Sequence, residues 1–378
     1  MAANMEFNNL RRQLKKCEKS IRKNIDRVFD HGKFINGPEI CQLEEKLAEY
    51  VGVDFAIGCA SGTDALTLAL MAHDIGRGDA VFTSAFSFVA AAETIALLGA
   101  TPIFVDIDPF TFNMDPACLE TEIREVSENM ILRPRAIIAV NLFGLPCDYN
   151  KIMELGIRYG LTIIEDAAQS FGAEYFGKKS GGLSDIGCTS FFPSKPLGCY
   201  GDGGMIFTNS QKLAGKISSF SQHGRSQESK YFSDAIGINS RLDSIQAAIL
   251  LAKFQIFENE LSARKEIATF YAEKLNALHY IQMQYIPRLS ESAHAQFPVV
   301  FDDKYQRNCA IQNFIRNQIP YQIYYPAILP EMPPYRNFEI YGQMKPGAVN
   351  ISNRILCLPF GPYITETEID RVYKCLKG

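Results

Sequence analysis

The sequence predicts an α/β protein, with a parallel sheet covered by helices on both faces and a second, smaller unit beyond it. Between Phe55 and Glu165, short apolar runs alternate with helix-patterned segments, which is the order that builds a parallel sheet buried on both sides. The 378 residues exceed the usual size of one domain, so a large domain over residues 1–258 and a smaller one over 259–378 are expected. Polar residues cluster where apolar runs end: Glu165-Asp166 follows Leu161–Ile164, and Lys195 lies between Phe191-Phe192 and glycines that end at Gly204.

Leu10, Leu14, Ile21, Ile25 and Phe29 recur at helical spacing over Leu10–Asp30. Asn36-Gly37-Pro38-Glu39 opens a second helix, Glu39–Tyr50, which buries Leu43 and Leu47. Phe55–Cys59 is a strand. The turn Ala60-Ser61-Gly62-Thr63-Asp64 feeds a helix over Ala65–Met71. Such a turn either holds an anion on backbone N–H groups or is a plain strand-to-helix connection. Strands follow at Ala80–Thr83, Thr101–Ile107, Arg135–Leu142 and Leu161–Glu165, separated by helices Val89–Leu98, Pro116–Ser127 and Tyr149–Tyr159. Gly172–Ser184 reads as loop, and Ile186–Phe192 and Met205–Thr208 are strands flanking Lys195. Gln211–Ser219 is a helix. His223–Asn239 is polar and aperiodic, a long surface or interface loop of a length that is unusual without function. Leu242–Phe257 is strongly helical, and Glu258–Leu278 carries that texture into the second domain. There, strands are expected at Pro298–Phe301 and Gln322–Tyr325, and helices at Tyr305–Gln318 and Thr365–Leu376. Pro326–Pro346 reads as ordered loop. Thr365 and Glu368 form a capping box.

A net charge of −4 argues against a nucleic-acid surface or a polybasic membrane tail. The longest apolar runs, such as Val89–Leu98, carry a charge at Glu93 and are too short to span a bilayer. The N-terminal segment is polar and basic at Arg11, Arg12, Lys15 and Lys16, so no secretory leader is expected. Ten cysteines occur without a CxxC, which predicts a reducing, cytoplasmic setting with most thiols in the core. The five histidines show no HExxH and no cluster, so no metal is expected. No GxSxG, GxxxxGK[ST] or strand-linked GxGxxG is present.

Asp166 falls at the carboxyl end of a predicted parallel strand, where open α/β sheets bind ligands; the plain alternative is an N-cap for a following helix. Lys195 follows Phe191-Phe192-Pro193-Ser194, a less exposed setting than most lysines have. Desolvation lowers a lysine pKa and frees the amine as a nucleophile, as a Schiff base requires. A buried aspartate facing a heterocyclic nitrogen would keep that nitrogen protonated. Ser190 would add a hydroxyl, Phe88 a stacking face, and the helix start at Thr63 a phosphate site. From the residues alone, this is an α/β enzyme with a phosphorylated cofactor as one reading.

The motifs SGTDAL (Ser61–Leu66), FVDIDP (Phe104–Pro109), EDAAQSFGA (Glu165–Ala173), SFFPSKPLGCYGDGG (Ser190–Gly204) and GINSRLDSIQAA (Gly237–Ala248) are carried together along nearly the whole chain. In this combination the chain resembles the DegT/DnrJ/EryC1/StrS sugar-nucleotide aminotransferases. The resemblance implies the pyridoxal-phosphate-dependent type I fold, with a mostly parallel seven-stranded sheet and a smaller C-terminal α/β domain. It implies that Lys195 forms the Schiff base with pyridoxal 5′-phosphate and shuttles the proton, and that Asp166 pairs with the ring nitrogen. Gln169 would contact the ring oxygen side, Phe88 would stack on the ring, and Gly62, Thr63 and Ser190 would hold the phosphate. Asn239 would reach the phosphate bound by the other subunit of a homodimer with shared sites. L-Glutamate is the implied donor and a nucleotide-sugar the acceptor.

Within the family, the chain is similar to the branch that aminates C3 of UDP-2-acetamido-2-deoxy-3-oxo-glucuronate, in which Arg241 would meet a carboxylate and Tyr325 the substrate. Two departures weaken a C4 assignment. Pro330 stands where C4-aminating relatives have histidine, and Asn141 stands where family members often have one. The alternatives are a C4 aminotransferase of a UDP- or dTDP-4-keto deoxysugar and a non-catalytic cofactor-binding regulatory protein.

Overall fold

The computed structural model describes residues 5–226, 231–338 and 345–377. Residues 227–230 and 339–344, inside the two predicted loops His223–Asn239 and Pro326–Pro346, lie outside it.

Helix α1 (Leu10–His31) starts where Asn9 Oδ1 accepts the Arg12 N–H and stops at Gly32, whose φ of 67° no other residue adopts as easily. Helix α2 (Pro38–Val51) opens on proline and ends at Gly52. Then come β1 (Phe55–Cys59), α3 (Gly62–Ala72), β2 (Asp79–Ser84), α4 (Ala90–Leu97), β3 (Thr101–Val105), α5 (Pro116–Asn129), β4 (Arg133–Val140), α6 (Tyr149–Tyr159) and β5 (Thr162–Asp166). After the short pair β6 (Glu174–Tyr175) and β7 (Lys178–Lys179) come β8 (Ile186–Ser190), β9 (Gly204–Thr208), α7 (Gln211–Phe220) and α8 (Ser244–Phe254). The C-terminal part contains α9 (Phe257–Leu275), β10 (Ile281–Met283), β11 (Ser290–Glu291), β12 (Phe297–Phe301) and α10 (Lys304–Arg316). It closes with α11 (Pro346–Arg354), β13 (Ile355–Leu358) and α12 (Glu366–Lys377).

Seven strands form the main sheet in the order β1-β9-β8-β5-β4-β2-β3. Only β9 runs against its neighbours, so the sheet is mostly parallel, as expected. One face packs Ala65, Leu66, Leu68 and Ala69 of α3 against Val81, Ile138, Ile164 and Ile206. The other packs Leu119 and Ile123 of α5 and Ile152 of α6 against Phe82, Ile103, Ile137 and Ile163. A second antiparallel sheet, β10-β12-β13, builds its own core with Tyr271, Phe314, Ile369 and Val372. A third small sheet joins β11 to β6 and β7.

Two sequence expectations need correction. The helix expected over Leu242–Phe257 ends at Phe254, and α9 starts separately at Phe257. Gln322–Tyr325 is not a strand: Gln322 alone bridges Cys357, donating and accepting at 3.3 and 2.8 Å. The chain then turns away so that Tyr325 packs on Phe86, and Pro326 has no N–H to continue a ladder. The sequence reading also passed over β10, α11 and β13. The capping box is present: Thr365 N–H donates to Glu368 Oε2 at 2.8 Å and Glu368 N–H returns to Thr365 Oγ1 at 3.3 Å.

Burial pushes Glu44 on α2 up to about 7, partly offset by the Gly58 N–H it accepts at 2.8 Å. Its folded pKa lies above its unfolded value, so the folded state keeps a proton that the unfolded state loses, and stability falls as pH rises from 4.5 to about 7. Glu44→Gln is expected to flatten that slope and to stabilise the chain by on the order of 2 kcal/mol above pH 7. Unfolding midpoints of both proteins across that range check this.

Candidate active site

Asp166 and Ser190 end β5 and β8, and Gly62, Thr63 and Phe88 follow β1 and β2, all at the carboxyl edge of the main sheet. Strand β5 ends on Asp166, in register with Val140 of β4 and Cys188 of β8. Neighbours on a strand alternate faces, so Glu165 and Asp166 diverge. Glu165 is fully buried and accepts from Ser180 Oγ at 2.6 Å, Gly181 N at 2.8 Å, Asn141 Nδ2 at 2.9 Å and Leu183 N at 3.0 Å. Burial pushes its carboxyl up, and these donors pull it back. No helix follows Asp166, so it is not an N-cap. It closes a turn by accepting from Ala168 N at 3.0 Å. That is the one donor to its carboxylate among the described hydrogen bonds, which leaves it capacity to accept from a ligand. Burial raises the Asp166 pKa, while the Ala168 N–H and the charge of Lys195 lower it.

Lys195 lies between β8 and β9, in a loop closed by Lys195 N donating to Phe192 O at 2.9 Å and Cys199 N to Phe191 O at 2.7 Å. The residue is half-buried. Desolvation lowers its pKa and Asp166 opposes the shift.

Gly62 and Thr63 form the first turn of α3, three residues earlier than the sequence predicts. Ser61 Oγ accepts the Asp64 N–H at 3.0 Å, and the N–H groups of Gly62 and Thr63 have no intrahelical partner. Ser190 lies against this turn. A Cβ on Gly62 would stand 2.6 Å from Ser190 Cβ, and one on Gly204 would stand 2.3 Å from Ser61 O. Any other side chain at either position would fill the space beside these donors.

Gln169 is buried, and its Oε1 accepts from Phe143 N at 2.7 Å. Its Nε2 donates to Tyr325 Oη at 3.3 Å, bringing the second domain to the site. Burial pushes the Tyr325 phenol up. Its ring meets Phe86 edge-on at 5.9 Å and Phe88 at 6.4 Å, and Phe88 is 54% exposed, leaving ring surface open. Arg241 Nη2 donates to Asn239 Oδ1 at 2.6 Å, and no described hydrogen bond joins either residue to Lys195, Asp166 or Ser190. The sequence reading gave Asn141 no role here, yet its Oδ1 also accepts from Cys147 N and Tyr149 Oη, at 2.9 and 3.0 Å, making it a hub beneath β5. Its place after a strand in NLFG was the available signal. A cleft of about 870 Å³ between α5 and α6 is lined by Thr111, Lys151, Phe176 and Arg288 and contains none of Asp166, Gln169, Ser190, Lys195 and Tyr325.

A desolvated amine, a carboxylate with accepting capacity and a helix start beside a hydroxyl fit a molecule with a carbonyl carbon, a protonated ring nitrogen and a phosphate. Among the described residues no group of His, Cys, Asp and Glu is arranged to hold a metal ion.

The model of the DegT/DnrJ/EryC1/StrS aminotransferase family matches residues 15–377. The UDP-2-acetamido-2-deoxy-3-oxo-D-glucuronate aminotransferase of Pseudomonas aeruginosa is 42% identical over 365 residues, 97% of each chain. A DegT DnrJ EryC1 StrS aminotransferase from Brucella abortus has a similar solved structure, with TM-score 0.95, 41% identity and 99% of both chains covered. The structure of NtdA from Bacillus subtilis with bound cofactor PMP gives TM-score 0.90 at 28% identity, covering 100% of this chain and 85% of that one.

Asn141→Leu removes one donor from Glu165, strands Cys147 N and leaves Tyr149 Oη only the Ala139 carbonyl at 3.5 Å. It is expected to cost about 3 kcal/mol, read as a lower midpoint in chemical denaturation with little change in the slope.

Proposed function

Because this chain belongs to the DegT/DnrJ/EryC1/StrS aminotransferase family, we propose that it transfers an amino group from L-glutamate to the C3 ketone of UDP-2-acetamido-2-deoxy-3-oxo-D-glucuronate. It is a pyridoxal-phosphate-dependent sugar-nucleotide aminotransferase. The observation that carries the reading is similarity over 97% of the chain to an enzyme of that reaction, with a desolvated Lys195 amine that feels the charge of Asp166.

When bound, pyridoxal phosphate supplies a carbonyl carbon for the amino group and a ring that takes up electrons. Everything else falls to residues of the chain. Burial keeps more of Lys195 neutral, so its amine would be able to bond the carbonyl carbon with loss of water and, once the donor's amine has displaced it, to take the Cα proton of the donor and later give a proton to sugar C3. Asp166 would accept from the protonated ring nitrogen, and that cationic partner would keep the carboxylate ionised. The Gly62 and Thr63 N–H groups and the Ser190 hydroxyl hold the phosphate, and Phe88 offers its open ring face. Gln169, already tied to Phe143 and Tyr325, orients the ring oxygen side and places Tyr325 against the sugar.

We read the active form as a homodimer. Phe34, Ile35, Phe232 and Ile236 are 43, 47, 62 and 89% exposed, and they flank the segment that carries Asn239. Asn239 would then serve the partner's phosphate, and Arg241 would meet the carboxylate of glutamate or of the uronate through its planar fork. Among the described residues no helix is long and apolar enough to cross a membrane, which fits the cytoplasmic location we infer. Residues 1–258 and 259–378 remain our division into cofactor and closing domains.

The purified protein loaded with pyridoxal phosphate should show a visible band that bleaches with L-glutamate and returns with the UDP-linked 3-keto uronate. Return with a 4-keto deoxysugar nucleotide instead would move the chain to another branch, and absence of any bound chromophore would overturn the reading. Lys195→Ala should fold and bind cofactor yet lose turnover by about 10⁴-fold or more. Arg241→Ala should raise KM for glutamate or for the uronate by about 10- to 100-fold, with an unfolding midpoint close to that of the parent.

A further inference from the structure

Lys253 on α8 is 1% exposed. A buried ammonium costs several kcal/mol unless its donors are used, so its surroundings show what the charge is for. Its Nζ donates to the Gly198 carbonyl, in the loop that carries Lys195, and lies over the Tyr200 ring at 4.6 Å. No described backbone N–H donates to that carbonyl. No carboxylate pairs with Lys253 among the described residues; nearby Glu260 is taken by Gln13 and Tyr363. Burial lowers Lys253 to about 8, with Glu260, Cys17 and Cys199 drawing it up and Arg264 pushing it down.

Gln246 lies seven residues earlier, two turns along the same face of α8. Its Oε1 accepts the Tyr200 N–H at 3.1 Å, and its amide lies 3.0 Å from where a Cβ on Gly201 would be. The loop folds back on itself, since a Cβ on Gly198 would stand 2.5 Å from Phe192 O and 2.7 Å from Pro193 O. Lys195 is therefore at the tip of a closed loop whose returning limb, Gly198 to Gly201, rests on α8. Helix α8 is backed by α1, through Cys17 and Ile21 against Ile249 and Ala252 and through Asn24 Nδ2 donating to Ala248 O at 3.1 Å.

We propose that Lys253, together with Gln246, is a positioning residue for Lys195: the pair clamps the returning limb of the loop and so fixes where the Lys195 amine stands relative to Asp166. The proposal rests on the aminotransferase reading above. A methionine would fill the same space without the charge. If Lys253 served packing alone, replacing the buried ammonium with an apolar side chain would be neutral or stabilising and would leave the reaction alone. If it positions Lys195, the rate falls whatever happens to stability.

The test is Lys253→Met in the full-length protein, with Val126→Ala on the buried face of α5 as a destabilised control. In Lys253→Met, amide hydrogen exchange over 192–200 should quicken by about tenfold or more relative to β4 and β5, and in the control it should not. With cofactor bound, the single-turnover rate at saturating glutamate should fall by about 10- to 100-fold while the glutamate Kd shifts by less than about threefold, because the proton-transferring amine is misplaced and the donor's contacts are not. Exchange in the loop equal to the parent's, or a rate within about twofold of it, overturns the clamp. Should Lys253→Met fail to fold, Gln246→Leu reads the second point in the same two measurements with the same expected directions. Should the parent itself fail to react with glutamate, the functional reading falls, and loop exchange alone then decides the clamp.

Discussion

A carboxylate buried at the end of β5 constrains most of what surrounds the site. Among the described residues no cation pairs with Glu165, so its charge must be met by donors, and the chain supplies four. Meeting them bends residues 180–183 back under the strand and ties Ser180 to Ser170 at 2.5 Å. Asn141, at the end of the neighbouring strand, is held in the same network. The turn from Ala167 to Ala173 is thereby fixed between two anchored points, and Gln169 sits within it. Strand alternation then leaves Asp166 facing away with its acceptor capacity free. One acidic side chain organises the floor and its neighbour is left for the chemistry.

The second domain is tied to this floor by charge and by backbone. Asp106, in the FVDIDP run, accepts from Gly347 and Ala348 at 2.9 and 2.8 Å and so completes the N-terminus of α11. Gly347 is needed there because a Cβ would stand 2.7 Å from Ile107 O. Lys345 pairs with Glu122 of α5 in the buried region beside it. Phe86, Phe104 and Leu142 share one apolar cluster with Val300, Ile351 and Cys357. These contacts bring Tyr325 to Gln169, so a residue far along the chain meets the turn that follows β5.

Several features were legible because they depend on neighbours in sequence. The alternation of apolar strand and amphipathic helix implied the parallel sheet, and glycine and proline marked the ends of α1 and α2 within two residues. Asp166 and Lys195 stood out because a strand end and an aromatic-glycine loop are local patterns. Gln322–Tyr325 misled for the same reason: its composition is that of a strand, but pairing depends on the presence of a partner edge, and only Gln322 meets one. Helix α11 and β13 were hidden because proline and aromatic residues upstream masked a short helix whose N-terminus is satisfied by Asp106, 241 positions away.

By itself, then, the sequence determined the alternating elements, the candidate lysine and aspartate, and, through a combination of motifs, the family. These are short-range matters of periodicity, turn chemistry and strand ends. Tertiary structure alone decided which way each polar group faces and what it touches. Glu165 and Asp166 are adjacent and alike in sequence; the fold gives one of them four donors and the other a single one. Lys253 reads as one more lysine on a helix until α8 is laid under the loop and its ammonium is found at Gly198. Burial and partnership are properties of distances between remote segments, and no local pattern encodes them.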